Sequence, residues 1–153
     1  MNCPYCKKQL TEVVNSRPTK HNSQVWRRRK CQNCNEIFTT KETIDLSHIH
    51  IEKKSGKTEV FSRMKLYSGI FYASQASKIP RREMFIDEIT KEVEREILSL
   101  KKKKVSGGEI ADIVLIKLKK KHTPTFLRYL TYCKDIINES QMKRELTKYV
   151  LDK

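Results

Sequence analysis

Four cysteines before residue 35 form two pairs whose spacing suits a metal ion. Cys3 and Cys6 make one CxxC pair, and Cys31 and Cys34 make the second. Zinc prefers four ligands in a tetrahedron, and two thiolates on each of two tight turns fill that shell without leaving a position open for a substrate. The spacing therefore predicts one structural Zn²⁺ bound by all four thiolates.

Disulfides and a redox-active CxxC are the alternative interpretations of these cysteines. The N-terminal sequence MNCP lacks the basic stretch and apolar core of a secretion signal. We therefore expect a cytoplasmic protein, and paired cysteines in a reducing compartment more often bind metal than each other. A thioredoxin-like CxxC needs a βαβ context, which this segment does not show. We interpret His21 as a loop residue and Cys133 as a semi-buried thiol on a later helix.

A run of cations stands directly before the second cysteine pair. Consecutive cations beside a metal-bound turn make a phosphate-binding surface, and arginine can also read guanine. The chain has 33 Lys and Arg against 18 Asp and Glu, a formal net charge of +15, which also favours a polyanionic partner. A solvated charge run is the alternative, and Trp26 either stacks on a base or packs against the ribbon. The candidate DNA contacts are Arg17, Arg27, Arg28, Arg29 and Lys30.

Lysines also surround a glycine turn at the start of the second half of the chain. The segment 51–56 has the sequence IEKKSG, and Glu59 and Lys65 follow it. Lys53, Lys54 and Lys65 are placed to converge on a triphosphate, with help from the N-terminus of the next helix. Glu59 could accept hydrogen bonds from a sugar or base. The chain has no Walker-type loop, so an exposed charged hairpin is the alternative that spacing alone leaves open.

The elements around these motifs change character near residue 45. The segment before it is loop-like and basic. After it, Ile49 and Ile51 alternate with polar residues and predict a hairpin that turns at Gly56. A first helix then begins after Ser62 and ends near residue 77, and a second spans about 82–102.

Two further helices complete the prediction. Ser106 and Glu109 form a capping-box pattern at the start of the third. Thr123 and Pro124 serve as N-cap and N1 of a fourth, which continues close to the end of the chain with its buried face formed by Phe126, Leu127, Leu130 and Ile137. The lysine runs 101–104 and 119–121 fall at helix ends, where cations complement the dipole.

These elements predict an α+β protein: a small N-terminal zinc ribbon followed by a mostly helical domain with a short β-hairpin. No apolar run is long enough to span a membrane. The sequence has no cluster of Mg²⁺-binding carboxylates, no catalytic base and no nucleophile constellation, so we predict no enzyme and no catalytic residues.

The order of these motifs resembles the NrdR family, bacterial repressors of ribonucleotide reductase genes. The resemblance is carried by CPYC at 3–6, NSRP at 15–18, RRRKC at 27–31, Cys34, and FTT at 38–40 with Glu42. The second half resembles an ATP-cone domain through 51–56 and 61–66, and more weakly through 106–118 and 126–134. The resemblance implies a zinc-ribbon DNA-binding domain at 1–45, an ATP-cone nucleotide-binding domain at 46–137, and a C-terminal helical extension at 138–153 beyond the usual family length.

The resemblance also implies a function. Family members bind double-stranded DNA at operator boxes in promoters, and their cones sense ATP against dATP. Bound nucleotide changes the homo-oligomeric state, so the expected protein is an allosteric repressor in the cytoplasm, associated with the nucleoid. By match of position, the nucleotide contacts would be Ile51, Lys53, Lys54, Glu59 and Lys65.

Two other functions remain open at this point. One is a general nucleic-acid-binding zinc protein with a degenerate cone. The other is a reductase-binding regulatory protein that does not use DNA. The chain departs from the family pattern at Asn15, Ile37 and Ser55.

Overall fold

Three antiparallel strands form the N-terminal unit, residues 1–45. They are β1 (Thr11–Pro18), β2 (Gln24–Cys31) and β3 (Ile37–Thr43), with β2 in the centre. The computed structural model describes residues 1–18, 24–75 and 77–151, so His21 lies outside the described residues. The expectation of a loop-like segment was wrong, because pairing with two neighbours holds the arginine-rich strand β2 extended despite its polar composition.

A second small sheet belongs to the C-terminal unit, residues 46–153. Strand β4 (His50–Glu52) pairs antiparallel with β5 (Thr58–Val60) and parallel with β6 (Lys104–Ser106). The predicted hairpin is confirmed, and Gly56 has a φ of +78° in its turn, a conformation that glycine adopts without strain. Strand β6 was not predicted, because three residues that pair with a distant strand leave no periodic signal.

Five helices complete this unit: α1 (Arg63–Ser74), α2 (Arg82–Ser99), α3 (Gly107–Lys121), α4 (Thr123–Lys134) and α5 (Glu139–Leu151). Helix α2 contacts both α1 and α3. It presents a fully buried stripe to the core, formed by Ile86, Ile89, Val93 and Ile97. These residues step by three or four along the sequence, as the helical period predicts.

Side-chain caps fix where three of these helices begin. The Ser62 hydroxyl accepts from the backbone N–H of Lys65, and Ser106 and Glu109 form the predicted capping box. The fourth helix differs from the prediction, since its N-cap is His122 and not Thr123. Imidazole can replace the usual hydroxyl there because one ring nitrogen accepts from the backbone N–H of Thr125 at 3.3 Å.

The last predicted helix is in fact two helices. Helix α4 ends at Lys134, where Asp135 takes a φ of +48° and turns the chain. Ile137 is 86% exposed and Leu127 38% exposed, so their assignment to a buried face was wrong. Apolar residues continue at helical spacing past residue 135. The left-handed conformation of Asp135 ends the helix, so these residues no longer share one face.

Helix α5 packs back onto the core through Tyr149. That ring meets Phe126 edge-on with centroids 5.8 Å apart, and its hydroxyl donates to Asp112 at 2.6 Å. These contacts join residues 139–151 to the same core as the other helices.

The lysine runs at helix ends form local ion pairs. Lys102 contacts Glu109 at 2.6 Å, and Lys121 contacts Glu92 at 2.7 Å and Glu88 at 3.2 Å. The run 119–121 lies in the last turn of α3, where cations complement the helix dipole, whereas the run 101–104 lies beyond the end of α2. Among the described residues, no helix has the length and apolar character needed to cross a bilayer.

Candidate functional site

Two similar turns present the four cysteines of the ribbon. Lys7 and Asn35 each follow the first cysteine of a pair by four residues and have positive φ angles of 64° and 59°. Each donates its backbone N–H to the carbonyl of that cysteine, Cys3 or Cys31, at 3.0 and 2.9 Å. Both CxxC pairs therefore sit in the same kind of turn, which aims two sulfurs toward a common point.

The four thiols have the spacing of a tetrahedral metal shell. All four Sγ atoms lie within 4.8 Å of one another, and the Cys3–Cys34 and Cys6–Cys31 pairs are 3.6 Å apart. A tetrahedron with metal–sulfur bonds of about 2.3 Å places its sulfurs about 3.8 Å apart. The cysteines are free thiols, and 3.6 Å is far from a disulfide bond of about 2.05 Å. The predicted ligands are thus brought together, and they fit zinc.

The environment of these thiols favours ionisation of one of them. The backbone N–H of Cys34 is the main cause that lowers the pKa of Cys31, to about 6. At Cys34, the backbone N–H of Glu36 also acts to lower the pKa. Burial and the neighbouring sulfurs outweigh it and raise that pKa to about 12. A divalent cation at the centre would remove this repulsion between thiolates, because it neutralises their charge.

The predicted cationic run lies on the central strand β2. Arg28 is exposed there, whereas Arg27, Arg29 and Lys30 are half-buried. Arg17 is exposed on β1, opposite Trp26 of β2. The structure therefore brings all five predicted DNA contacts into one sheet, on two adjacent strands.

A pocket opens between the hairpin and the helices of the C-terminal unit. It encloses about 530 Å³ of empty space, including open solvent at its mouth. Four of the five predicted nucleotide contacts line it: Ile51, Lys53, Glu59 and Lys65.

A single carboxylate joins the two lysines of this pocket. Glu59 accepts from the ammonium of Lys65 at 2.7 Å and contacts that of Lys53 at 2.9 Å. The hydrogen bond from Lys65, followed by that from Lys53, lowers the pKa of Glu59 below its ordinary value. The two ammonium groups are therefore held close together beside the cavity.

Family models match both units of the chain. The model described as "Transcriptional repressor NrdR-like, N-terminal domain" matches residues 1–42, and the ATP cone domain model matches residues 49–136. The protein named Transcriptional repressor NrdR from Kosmotoga olearia is 34% identical over 157 residues, covering 97% of each chain. The one from Caldicellulosiruptor bescii is 32% identical over 153 residues, covering 100% of this chain and 99% of the relative.

The chain belongs to the NrdR family of transcriptional repressors. It combines the family's zinc ribbon with an ATP-cone, and its relatives are named as regulators of transcription and not as enzymes. The prediction of a non-enzymatic transcriptional repressor is confirmed at this level.

The C-terminal segment of the chain falls within the alignment with one relative. Residues 138–153 were expected to extend beyond the usual family length. The alignment with the relative from Caldicellulosiruptor bescii covers this chain completely and 99% of the relative, so that relative spans this region as well.

Lys54 is the predicted nucleotide contact that does not line the NrdR pocket. Its ammonium lies 2.9 Å from Asp135, at the break between α4 and α5, and 3.4 Å from the carbonyl of Cys133. Both lysines follow the end of β4 at Glu52, where the chain turns, and the turn places Lys53 at the pocket and Lys54 beside Asp135. Cys133 is half-buried as predicted, and burial raises the pKa of its thiol.

Sequence reasoning missed pocket residues from outside the hairpin, among them Gly107 and Tyr129. Gly107 opens helix α3, where an added Cβ would lie 3.6 Å from the carbonyl oxygen of Glu52. Tyr129 of α4 is 7% exposed, and burial is the main cause that raises the pKa of its hydroxyl. The Gly-Gly pair after Ser106 was a usable signal for close backbone approach. Nothing local marks Tyr129, because only packing brings α4 to the hairpin.

Proposed function

We propose that this NrdR-family protein is a nucleotide-responsive repressor that negatively regulates ribonucleotide reductase genes. In this proposal residues 1–45 bind double-stranded operator DNA around one structural Zn²⁺, and residues 46–137 bind ATP or dATP as an allosteric ligand. Residues 138–153 are the C-terminal segment, which contains α5. The observation that carries the proposal is the lysine-lined pocket of the ATP-cone in the same chain as a cationic zinc ribbon.

The pocket offers separate surfaces for the charged and the apolar parts of a nucleotide. Lys53 and Lys65 provide the cationic side, where phosphate oxygens would replace Glu59 as partner. The first turn of α1 and Gly107 at the start of α3 also line it, and backbone N–H groups at helix N-termini favour anions. Ile51 and neighbouring apolar side chains would receive the base, and a freed Glu59 would accept from the sugar.

Lys54 would contact a bound nucleotide from outside the pocket. Its exposed ion pair with Asp135 is weak in water, so Lys54 is free to exchange Asp135 for the outermost phosphate of a longer ligand. It would thus contribute to affinity from outside the pocket, and less than Lys65 does.

Zinc would hold the ribbon in the shape that binds DNA. A unit of this size and polarity has little apolar core, so metal binding provides much of its folding free energy. The cations of β2 and Arg17 would then meet phosphates from a fixed sheet, and neutralisation of phosphates makes such binding salt-dependent.

Nucleotide would act by changing how copies of the chain assemble. A ligand shifts an equilibrium between two assemblies only by its difference in affinity for them. We propose that dATP favours a homo-oligomer whose ribbons match paired operator boxes, while ATP favours one whose ribbons do not. No hydrolysis is required. The protein would work in the cytoplasm, bound to the nucleoid.

The proposal is tested by binding of the zinc-loaded full chain to reductase promoters of its own genome. Affinity is measured at fixed salt with ATP, with dATP and without nucleotide, and an unrelated promoter of equal length is the control. We expect tight binding that is specific for the reductase promoters and changes with nucleotide. Equal affinity for both promoters under all conditions would favour the general nucleic-acid-binding alternative. No DNA binding, with retention on immobilised reductase, would favour the enzyme-binding alternative.

A further inference from the structure

The cross-strand register sorts the cations of the ribbon onto two opposite faces of its sheet. Residues directly opposite each other on neighbouring strands share a face. Arg28 lies opposite Asn15 on one side and Thr39 on the other, and Trp26 lies between Arg17 and Lys41 in the same way. One face, here called the open face, is formed by Glu12, Asn15, Arg17, Trp26, Arg28, Lys30, Ile37, Thr39 and Lys41.

The remaining two arginines of the run project from the other face, where neighbouring side chains engage them. Arg27 donates from Nε and Nη2 to the carboxylate of Glu42, at 3.0 and 2.7 Å. Arg29 donates from Nε to the hydroxyl of Thr40 at 3.1 Å. Both contacts run from β2 to β3, so these guanidinium groups tie two strands together.

The cations of the open face have no such ties. None of Arg17, Arg28, Lys30 and Lys41 has a carboxylate within ion-pair distance in the described part of the chain. Glu12, opposite Lys30, is the single acidic residue on this face among the described strand residues, and it accepts from Gln32 at 3.1 Å. The open face therefore carries four cations against one acid, and none of the four forms an ion pair among the described residues.

We propose that the open face is the DNA-contacting surface, that Lys41 is one of its phosphate contacts, and that Arg27 and Arg29 are positioning residues. This inference rests on the proposed function, in which the ribbon binds DNA. Lys41, which lies outside the cationic run, thereby joins the interface, and Arg27 and Arg29 are excluded from it.

The cations of the two faces differ in the internal contacts that they lose when they bind a phosphate. A phosphate that approaches Arg28 or Lys41 gains a charge-assisted hydrogen bond, and no internal ion pair is broken. A phosphate that approaches Arg27 must displace Glu42 or lie beside its carboxylate, which repels it. The same ion pair that strengthens the sheet therefore makes Arg27 a poor phosphate contact.

The layout of the open face also suits a duplex. Neighbouring strands are about 4.8 Å apart, so Arg17 and Lys41 stand about 10 Å apart on either side of Trp26. In the next row, Asn15 and Thr39 flank Arg28 with an amide and a hydroxyl. Arg17 and Lys41 would thus contact the DNA backbone from the two outer strands. Arg28 and its polar neighbours lie on the same face, one row along the strands.

Six glutamine variants of the full zinc-loaded chain test the assignment. Each of R17Q, R28Q, K30Q, K41Q, R27Q and R29Q removes one positive charge, so the general attraction to DNA changes equally in all of them. The measured quantity is the slope of log affinity against log salt concentration, with sheared genomic DNA as the probe. A lost phosphate contact flattens this slope by about 0.9.

We expect R28Q and K41Q to flatten the slope by about one contact each, and R27Q and R29Q to leave it unchanged. If R27Q or R29Q flattens it as much as R28Q, or if K41Q leaves it unchanged, the assignment of faces is overturned while DNA binding stands. If the wild-type chain does not bind DNA at all, the proposed function fails and this inference fails with it.

A second measurement on the wild-type chain avoids any question of misfolded variants. DNA should protect the amine of Lys41 from acetylation, whereas Lys143 on α5, with a side chain 74% exposed, should react equally with and without DNA. Acetylation of Lys41 that DNA does not slow would contradict its assignment.

For the six glutamine variants, measurements of zinc content and thermal unfolding check that the ribbon of each variant is intact.

Discussion

The carboxylate of Glu59 lies 2.7 Å from the ammonium of Lys65, and it spans the gap from that helix to the hairpin, where it also contacts Lys53. This contact keeps two cations together in a pocket that is otherwise partly apolar. In the proposed function, phosphate takes the place of the carboxylate. The pocket, the ribbon and the core can each be tested by a separate measurement.

Replacing Lys65 with glutamine should weaken nucleotide binding and leave the fold intact. A hydrogen bond to a charged group contributes about 1.5–3 kcal/mol, so we expect affinity for ATP and dATP to fall by roughly 10- to 150-fold. The pair with Glu59 is exposed to solvent, so its loss should change the unfolding transition little. Titration calorimetry measures the affinity. Lys57→Gln, in the turn outside the pocket lining, removes the same charge and should change it little.

Replacing Cys31 with serine should unfold the ribbon and abolish DNA binding, while the cone still binds nucleotide. Three thiolates cannot close the tetrahedral shell that fixes both turns. Zinc content, DNA affinity and nucleotide affinity are measured on the same preparation. Cys133→Ser, outside the four-cysteine cluster, should retain all three. DNA binding that survives in Cys31→Ser would contradict zinc as the scaffold of the DNA-binding unit.

Replacing Glu109 with glutamine should cost stability at neutral pH and much less at low pH. Its pKa is lowered to about 2, first by the hydrogen bond from Lys102 and then by the backbone N–H of Ser106. A carboxylate with a lowered pKa stabilises the fold fully above its unfolded pKa of about 4.3, and that contribution disappears as pH falls toward 2.

The measurement for Glu109 is urea unfolding followed by far-ultraviolet circular dichroism. All five helices lie in the C-terminal unit, so this signal reports that unit even where acid releases zinc. At neutral pH, the wild type should be more stable than Glu109→Gln, because glutamine can still accept from the backbone N–H of Ser106 but carries no charge to pair with Lys102. A difference of equal size at neutral pH and near pH 2 would rule out the ionised carboxylate as its cause.

Replacing Ile89 with alanine should destabilise the C-terminal unit far more than the same change at Ile137. Ile89 is fully buried, and truncation of such a residue costs about 2–5 kcal/mol. Ile137 is 86% exposed, so its truncation should stay within about 0.5 kcal/mol. Thermal or urea unfolding measures both. Comparable losses would mean that Ile137 is buried, as the helical period alone had predicted.

Features of the fold that depend on local chemistry could be predicted from the sequence. The CxxC spacing predicted a cluster that the structure assembles, and Ser62 and Ser106 marked two helix starts through their hydroxyl groups. The turn at Gly56 was predicted for the same reason, since glycine is the residue that adopts positive φ most easily.

Features that depend on long-range pairing could not be predicted. Strand β6 exists because it adds to β4 across about 50 intervening residues, and Tyr129 reaches the pocket only through packing of α4. The sorting of the ribbon cations depends on an irregularity between Val13 and Asn15. Strict alternation would put Val13 and Arg17 on one face, whereas the extra residue puts them on opposite faces.

The most direct test of the central claim measures whether nucleotide bound in the cone pocket changes the affinity of the ribbon for DNA. Affinity for a reductase promoter is measured for the wild type, Lys65→Gln and Lys57→Gln, each with ATP, with dATP and without nucleotide. The account predicts that wild type and Lys57→Gln respond to nucleotide and that Lys65→Gln binds DNA with one affinity throughout. A wild type that binds the promoter equally in all three conditions, with nucleotide bound, would contradict it.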